Sequence, residues 1–96
     1  SRLSIACRGE SIAQYHNRCE LDPTVVDEWG IPVLRFDYHW TENEINQAKH
    51  MQGTMEELLT ASGGVLLGDK PGANQDYGLT KPGEIIHEVG TTRMGI

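Results

Sequence analysis

The sequence holds a single phenylalanine and only 6% aromatic residues, so few large side chains are at hand to fill a core. Its two cysteines, Cys7 and Cys19, are too few for a disulfide framework and match no zinc spacing. They read as small buried hydrophobes, and no metal is expected. His16 does not change this, because it and Cys19 fall on opposite faces of one alternating segment and their side chains diverge. Positive charge is scarce as well: eight Lys plus Arg against fourteen Asp plus Glu leave a net charge of −6. The eight are scattered singly, which argues against a nucleic-acid partner or an anionic membrane surface, since both need clustered Lys and Arg. No apolar run approaches the roughly 18 to 20 residues of a membrane span, and SRLSIACRGE at the start lacks the apolar segment of a secretory signal. A soluble chain is expected. At 96 residues it is long enough for one modest core, and a cofactor domain joined to a substrate domain does not fit in it.

What is present is patterned. Leu3, Ile5 and Cys7 share one parity, and Ala13, Tyr15, Cys19 and Leu21 repeat it with Gln14, His16, Arg18 and Glu20 between them, which predicts two half-buried strands. Asp22-Pro23-Thr24 then reads as a turn into one helical turn over 25–29, ended by Gly30 and Pro32. The clearest strand covers 33–40, with Leu34, Phe36, Tyr38 and Trp40 on one face and Arg35, Asp37 and His39 on the other. Thr41 with Glu44 three residues later is a capping box. Ile45, Ala48, Met51, Met55, Leu58 and Leu59 follow at helical spacing, so a helix of about twenty residues and about 30 Å is expected, packed on one face of the sheet. Gly53 weakens its middle and the Gly63-Gly64 pair ends it. Val65 to Leu67 could form a short strand. Segment 68–83, rich in Gly, Pro, Asn and Asp, is a long loop, which in a small domain means a functional rim or poor order. A last strand is expected over 84–89. The fold class is therefore α+β, an antiparallel sheet with one long amphipathic helix on a face.

Several motifs fail on inspection. Gly90 to Gly95 has the glycine spacing of a phosphate loop without the Lys and Ser/Thr that touch phosphate and metal. No G-x-G-x-x-G follows a strand, so the chain has no dinucleotide-binding turn of its own. His87-Glu88 begins like a zinc-protease helix, but Thr91 stands where the second histidine belongs. His39 and His50 read as exposed positions on a strand and a helix, and on composition alone His87 reads as structural.

The run His87-Glu88-Val89-Gly90-Thr91-Thr92-Arg93-Met94-Gly95 adds something specific. It resembles, without a gap, the H-x-x-G-T-x-R-M-G signature of the glucose-methanol-choline (GMC) oxidoreductases. Upstream segments look like the same family in the same order: Leu21-Asp22-Pro23, then Asp27-Glu28-Trp29-Gly30-Ile31-Pro32-Val33-Leu34, then Trp40-Thr41-Glu42-Asn43-Glu44, then Pro82-Gly83-Glu84. Within the family the likeness is greatest to bacterial dehydrogenases of gluconate, sorbitol and related polyols.

The resemblance implies that residues 1–96 are part of the substrate-binding domain of a larger FAD-dependent enzyme oxidising an alcohol or polyol CH–OH group. The histidine opening the signature would take the hydroxyl proton as hydride goes to the flavin, so His87 is the candidate base. Gly90 and Thr91 are the candidate cofactor neighbours, small residues that let backbone approach the ring, and Arg93 would hold neighbouring backbone or carboxylate groups. The family's flavin-binding glycine turn and its later His or Asn segment are missing, so the chain alone is expected to bind no FAD and to be inactive. Its partners would be a small alcohol or polyol substrate and the absent FAD domain of the same protein, with self-association through exposed strands when isolated. A stand-alone α+β binding module without catalysis is the alternative. It predicts a well-folded monomer that binds a partner with no flavin nearby.

Overall fold

Five residues, 27–31, join the two antiparallel strands of the chain. The computed structural model describes residues 1–87, 89, 90 and 92–95, and in it β1 (Arg18–Val26) pairs with β2 (Pro32–Asp37) in a two-stranded sheet. The register runs Arg18 opposite Asp37, Cys19 opposite Phe36, Glu20 opposite Arg35 and Leu21 opposite Leu34, then slips before Val26 opposite Pro32. Asp22, Pro23, Thr24 and Val25 bulge out opposite Val33 alone. The expected turn and helical turn over 22–29 are thus corrected: the strand continues through a bulge, and the reversal comes later. Asp22 makes the bulge possible. Its Oδ1 accepts from the backbone N–H of Val25 at 2.8 Å and of Thr24 at 2.9 Å, while Pro23 has no N–H to satisfy.

The reversal at 27–31 is organised by a second aspartate. Asp27 Oδ1 accepts from the N–H groups of Trp29 and Ile31, both at 2.9 Å, and the Asp27 N–H donates to the Ile31 carbonyl at 2.9 Å. Gly30 sits at φ +80°, a conformation a side chain resists. Beyond β2, Asn17 clamps the outgoing chain by donating to the His39 carbonyl at 3.1 Å and accepting the His39 N–H at 2.8 Å.

The chain divides into two units, Ser1–Ile12 with Trp40–Thr80 and Ala13–His39 with Lys81–Ile96. The sheet belongs to the second. The first is built on α1 (Glu42–Ala61), twenty residues as the spacing predicts. Its N-cap is Thr41, but the Thr41 hydroxyl donates to the Glu44 carboxylate rather than accepting a backbone N–H, so the capping box closes between side chains. Its end is a Schellman motif: Gly64 N–H donates to the Leu59 carbonyl at 2.9 Å and Gly63 N–H to the Thr60 carbonyl at 3.0 Å, with Gly63 at φ +81°.

The inward stripe of α1 is Glu44, Ile45, Ala48, Met51, Met55 and Leu59, while Leu58 is exposed. Ala48 at 4% exposure is the one buried apolar residue among those described, and Glu44 at 3% lies beside it on the same stripe. Segment 1–12 packs here. Glu10 N–H donates to Gln47 Oε1 at 2.9 Å and Ser11 Oγ to Glu44 Oε1 at 3.0 Å. The predicted strand over 3–7 is therefore corrected to irregular chain held by helix side chains, with no ladder partner.

The long loop also returns to α1. Gln52 donates to the Pro71 carbonyl at 2.7 Å, Lys70 pairs with Glu56 at 2.7 Å, and Trp40 Nε1 donates to the Thr80 carbonyl at 3.0 Å. Between these ties lies a 3₁₀ turn, Ala73–Gly78, in which Asp76 and Tyr77 take φ of +48° and +52°. No strand forms over 65–67, and none is found in the described part of 84–89, where Pro82 and Gly83, the latter at φ +89°, bend the chain. An antiparallel sheet and one helix make the class α+β. Among the described residues no helix is long and apolar enough to cross a membrane.

Candidate functional site

The segment carrying the histidine is made of turns. Glu84 N–H donates to the Lys81 carbonyl at 3.1 Å, and its carboxylate accepts from the Lys81 N–H at 3.2 Å, closing a loop around Pro82-Gly83. His87 follows on irregular chain with an exposed imidazole. Three residues on, Gly90 is at φ +86° and accepts the Arg93 N–H at 3.4 Å, so a second turn begins there. A Cβ at Gly90 would meet nothing within 4 Å. The sequence thus places an exposed imidazole three residues before Gly90.

Of the residues singled out, His87 and Gly90 lie in this one stretch, and Thr91 lies outside the described residues. Val89 and Met94 around them are 96% and 100% exposed, so the apolar members of the run rest on nothing among the described residues. The same open space surrounds Gly30, Gly53, Gly63, Gly68, Gly83 and Gly95.

Other histidines are placed otherwise. His39 pairs with Asp37, Nε2 to Oδ1 at 2.9 Å, on the wet edge of the hairpin. His50 is exposed on α1, its carbonyl accepting the Thr54 hydroxyl at 3.1 Å. Among the described residues no three His, Cys, Asp or Glu side chains are grouped to hold a metal.

Sequence reasoning missed Glu44 as a buried group. Burial disfavours its charge, but hydrogen bonds from the Thr41 hydroxyl, from its own N–H, from the Ser11 hydroxyl and from the Ile12 backbone prevail and hold its carboxyl below the ordinary value. The signal was its place in the capping box, which gave its position but not what docks over it. Asp22 is the other carboxyl held low, by the Val25 N–H first and the Thr24 N–H second, and both serve the bulge.

The chain is α+β, and its exposed histidine His87 precedes a turn that begins at Gly90. Compared with known proteins, residues 14–96 match the model of the GMC oxidoreductases, and the chain belongs to that family. It is similar to the gluconate 2-dehydrogenase flavoprotein of Pantoea cypripedii, with 30% identity over 59 residues, 62% of this chain and 10% of that protein. The matched stretch spans about a tenth of the length of that relative. No solved structure matches the chain.

Proposed function

We propose that the chain forms part of the substrate-binding domain of an FAD-dependent dehydrogenase that oxidises an alcohol or polyol CH–OH group, with His87 as the base. The observation that carries this reading is the family match, which spans residues 14–96 and so includes the His87 to Gly95 segment. The resemblance to a protein named as a gluconate dehydrogenase and a flavoprotein supports a polyhydroxylated substrate.

His87 would accept the hydroxyl proton on a ring nitrogen, leaving the O–H electron pair on oxygen to form the carbonyl. Imidazole suits this step because its charge changes near neutral pH. When bound, a flavin would supply a hydride acceptor for the carbinol carbon. Gly90, and Thr91 beside it, would lie against the ring, because a glycine at positive φ with open space where a Cβ would stand lets the backbone approach closely. An FAD domain and the substrate are the partners this reading requires.

The test is made in the full-length protein. His87→Ala lowers alcohol turnover by about 10² to 10⁴, the usual contribution of a general base, while bound flavin is retained. His39→Ala, which removes only an exposed ion pair, leaves turnover near wild type. Equal losses in the two variants would overturn the role of His87.

A further inference from the structure

We propose that the unit built on α1 carries a site for a soft monovalent cation, Cu(I), bound by the thiolate of Cys7 and the thioethers of Met51 and Met55. The sequence has two cysteines and three methionines. Three of these five sulfur side chains, Cys7, Met51 and Met55, line a single pocket of about 80 Å³. That volume admits a bare ion and is well below the roughly 300 to 1,000 Å³ of an organic ligand site.

The chain brings the three together by separate means. Met51 and Met55 are one helical turn apart on the inward stripe of α1, both half-buried. Cys7 lies just before the segment that Gln47 and Glu44 tie down through Glu10 and Ser11. The Met51 methyl reaches that segment, lying 3.2 Å from where a Cβ on Gly9 would stand. Cys7 is free and exposed, so an ion reaches it from solvent.

Donor chemistry then selects the ion. No carboxylate or imidazole lines the pocket; beside the three sulfur side chains it is lined by Ala48, Tyr77, Gly78 and Leu79, and a neutral phenol is a poor ligand for a soft cation. Thiolate and thioether donors select Cu(I). Binding forms an S–Cu bond as the Cys7 thiol gives its proton to solvent, and the thioethers add lone pairs. Copper keeps its oxidation state, and the thiolate neutralises the bound charge. The plain alternative is that Met51 and Met55 fill an apolar gap beside an unrelated thiol, as methionines commonly do.

The experiment is an anaerobic titration of the reduced full-length protein with Cu(I) against a colorimetric Cu(I) chelator, with Zn(II) as the comparison metal. One equivalent of Cu(I) is retained, Zn(II) is not, and Cys7→Ser abolishes retention while Cys19→Ser leaves it unchanged. Met51→Leu combined with Met55→Leu conserves side-chain volume and keeps the thiol. This double variant weakens Cu(I) binding by at least the about 10- to 100-fold that even an outer-shell partner is worth. If the double variant binds as wild type does, or Cys19→Ser loses the equivalent, the site does not exist. Should Cys7→Ser lose its helical circular dichroism, the double variant decides alone.

Discussion

Glu44 is a carboxylate almost wholly removed from water that is nevertheless kept charged, because hydroxyl and backbone donors surround it. Its titration therefore has a definite sign. The native carboxyl lies below its ordinary value of 4.5, so the stabilisation it gives is fully present above 4.5 and is lost as pH falls through the lower native value. Protonation also turns an acceptor toward Ser11 into a competing donor, so the docking of segment 1–12 weakens with it. Thermal unfolding followed by circular dichroism should show wild type losing stability below about pH 5 more steeply than Glu44→Gln, which cannot titrate. Parallel pH slopes in the two proteins would show that the charge of Glu44 does not hold the segment. Asp22 repeats this logic in the open: Asp22→Ala leaves the Thr24 and Val25 N–H groups to water. The expected result is faster amide exchange at both, with the Asp27 turn unchanged.

Elements were legible where a local pattern sufficed. The helix was, because its start, its apolar spacing and its glycine stop are encoded locally; Ala48 and Gly63 behave accordingly, while Thr41 starts the helix but bonds the Glu44 carboxylate instead of a backbone N–H. The alternation of 34–37 was legible for the same reason. Segment 3–7 also alternates, yet alternation does not provide a partner strand, and neither 3–7 nor the described part of 84–89 forms one. Asp22-Pro23-Thr24 misled because the same side-chain-to-backbone bonds serve a turn and a bulge. The glycines of α1 offer a direct check. Gly53 is helical with nothing within 4 Å of a Cβ, so Gly53→Ala should stabilise by about 0.5 to 1 kcal/mol. Gly63 is equally uncrowded but sits at φ +81°, so Gly63→Ala should cost about 1 to 2 kcal/mol. Denaturant midpoints of the pair measure both, and a shift of the same sign in the two variants would contradict the argument from φ. For the candidate site, His87 and Gly90 were legible through their motif alone, since neither burial nor a hydrogen bond marks the imidazole among the described residues.

The sheet shows what the isolated chain must do. One face of the hairpin carries Arg18, Glu20, Arg35 and Asp37, joined by the Arg18–Glu20 and Arg35–Glu20 ion pairs at 3.6 and 4.0 Å. The other carries Cys19, Leu21, Leu34 and Phe36, and Phe36 is 71% exposed. Such a two-stranded sheet is marginal in water, since neither its outer edges nor its apolar face has a partner among the described residues. Ile86, Val89 and Met94 add further exposed apolar surface around the candidate site. The net charge of −6 slows association by repulsion but covers neither an edge nor a face. The 96 residues expressed alone are therefore expected to self-associate, with association strengthened by salt as the repulsion is screened. They are also expected to bind no FAD, because among the described residues no glycine-rich turn leads into a helix N-terminus that could receive the pyrophosphate. Light scattering coupled to gel filtration, run with FAD at low and high salt, reads both at once. Phe36→Lys, which places a charge in the middle of the apolar face, should shift the population toward monomer. A wild-type chain that stays strictly monomeric at high salt, or that elutes with flavin absorbance, would show that these surfaces need no cover and that the chain is more self-sufficient than its exposed side chains imply.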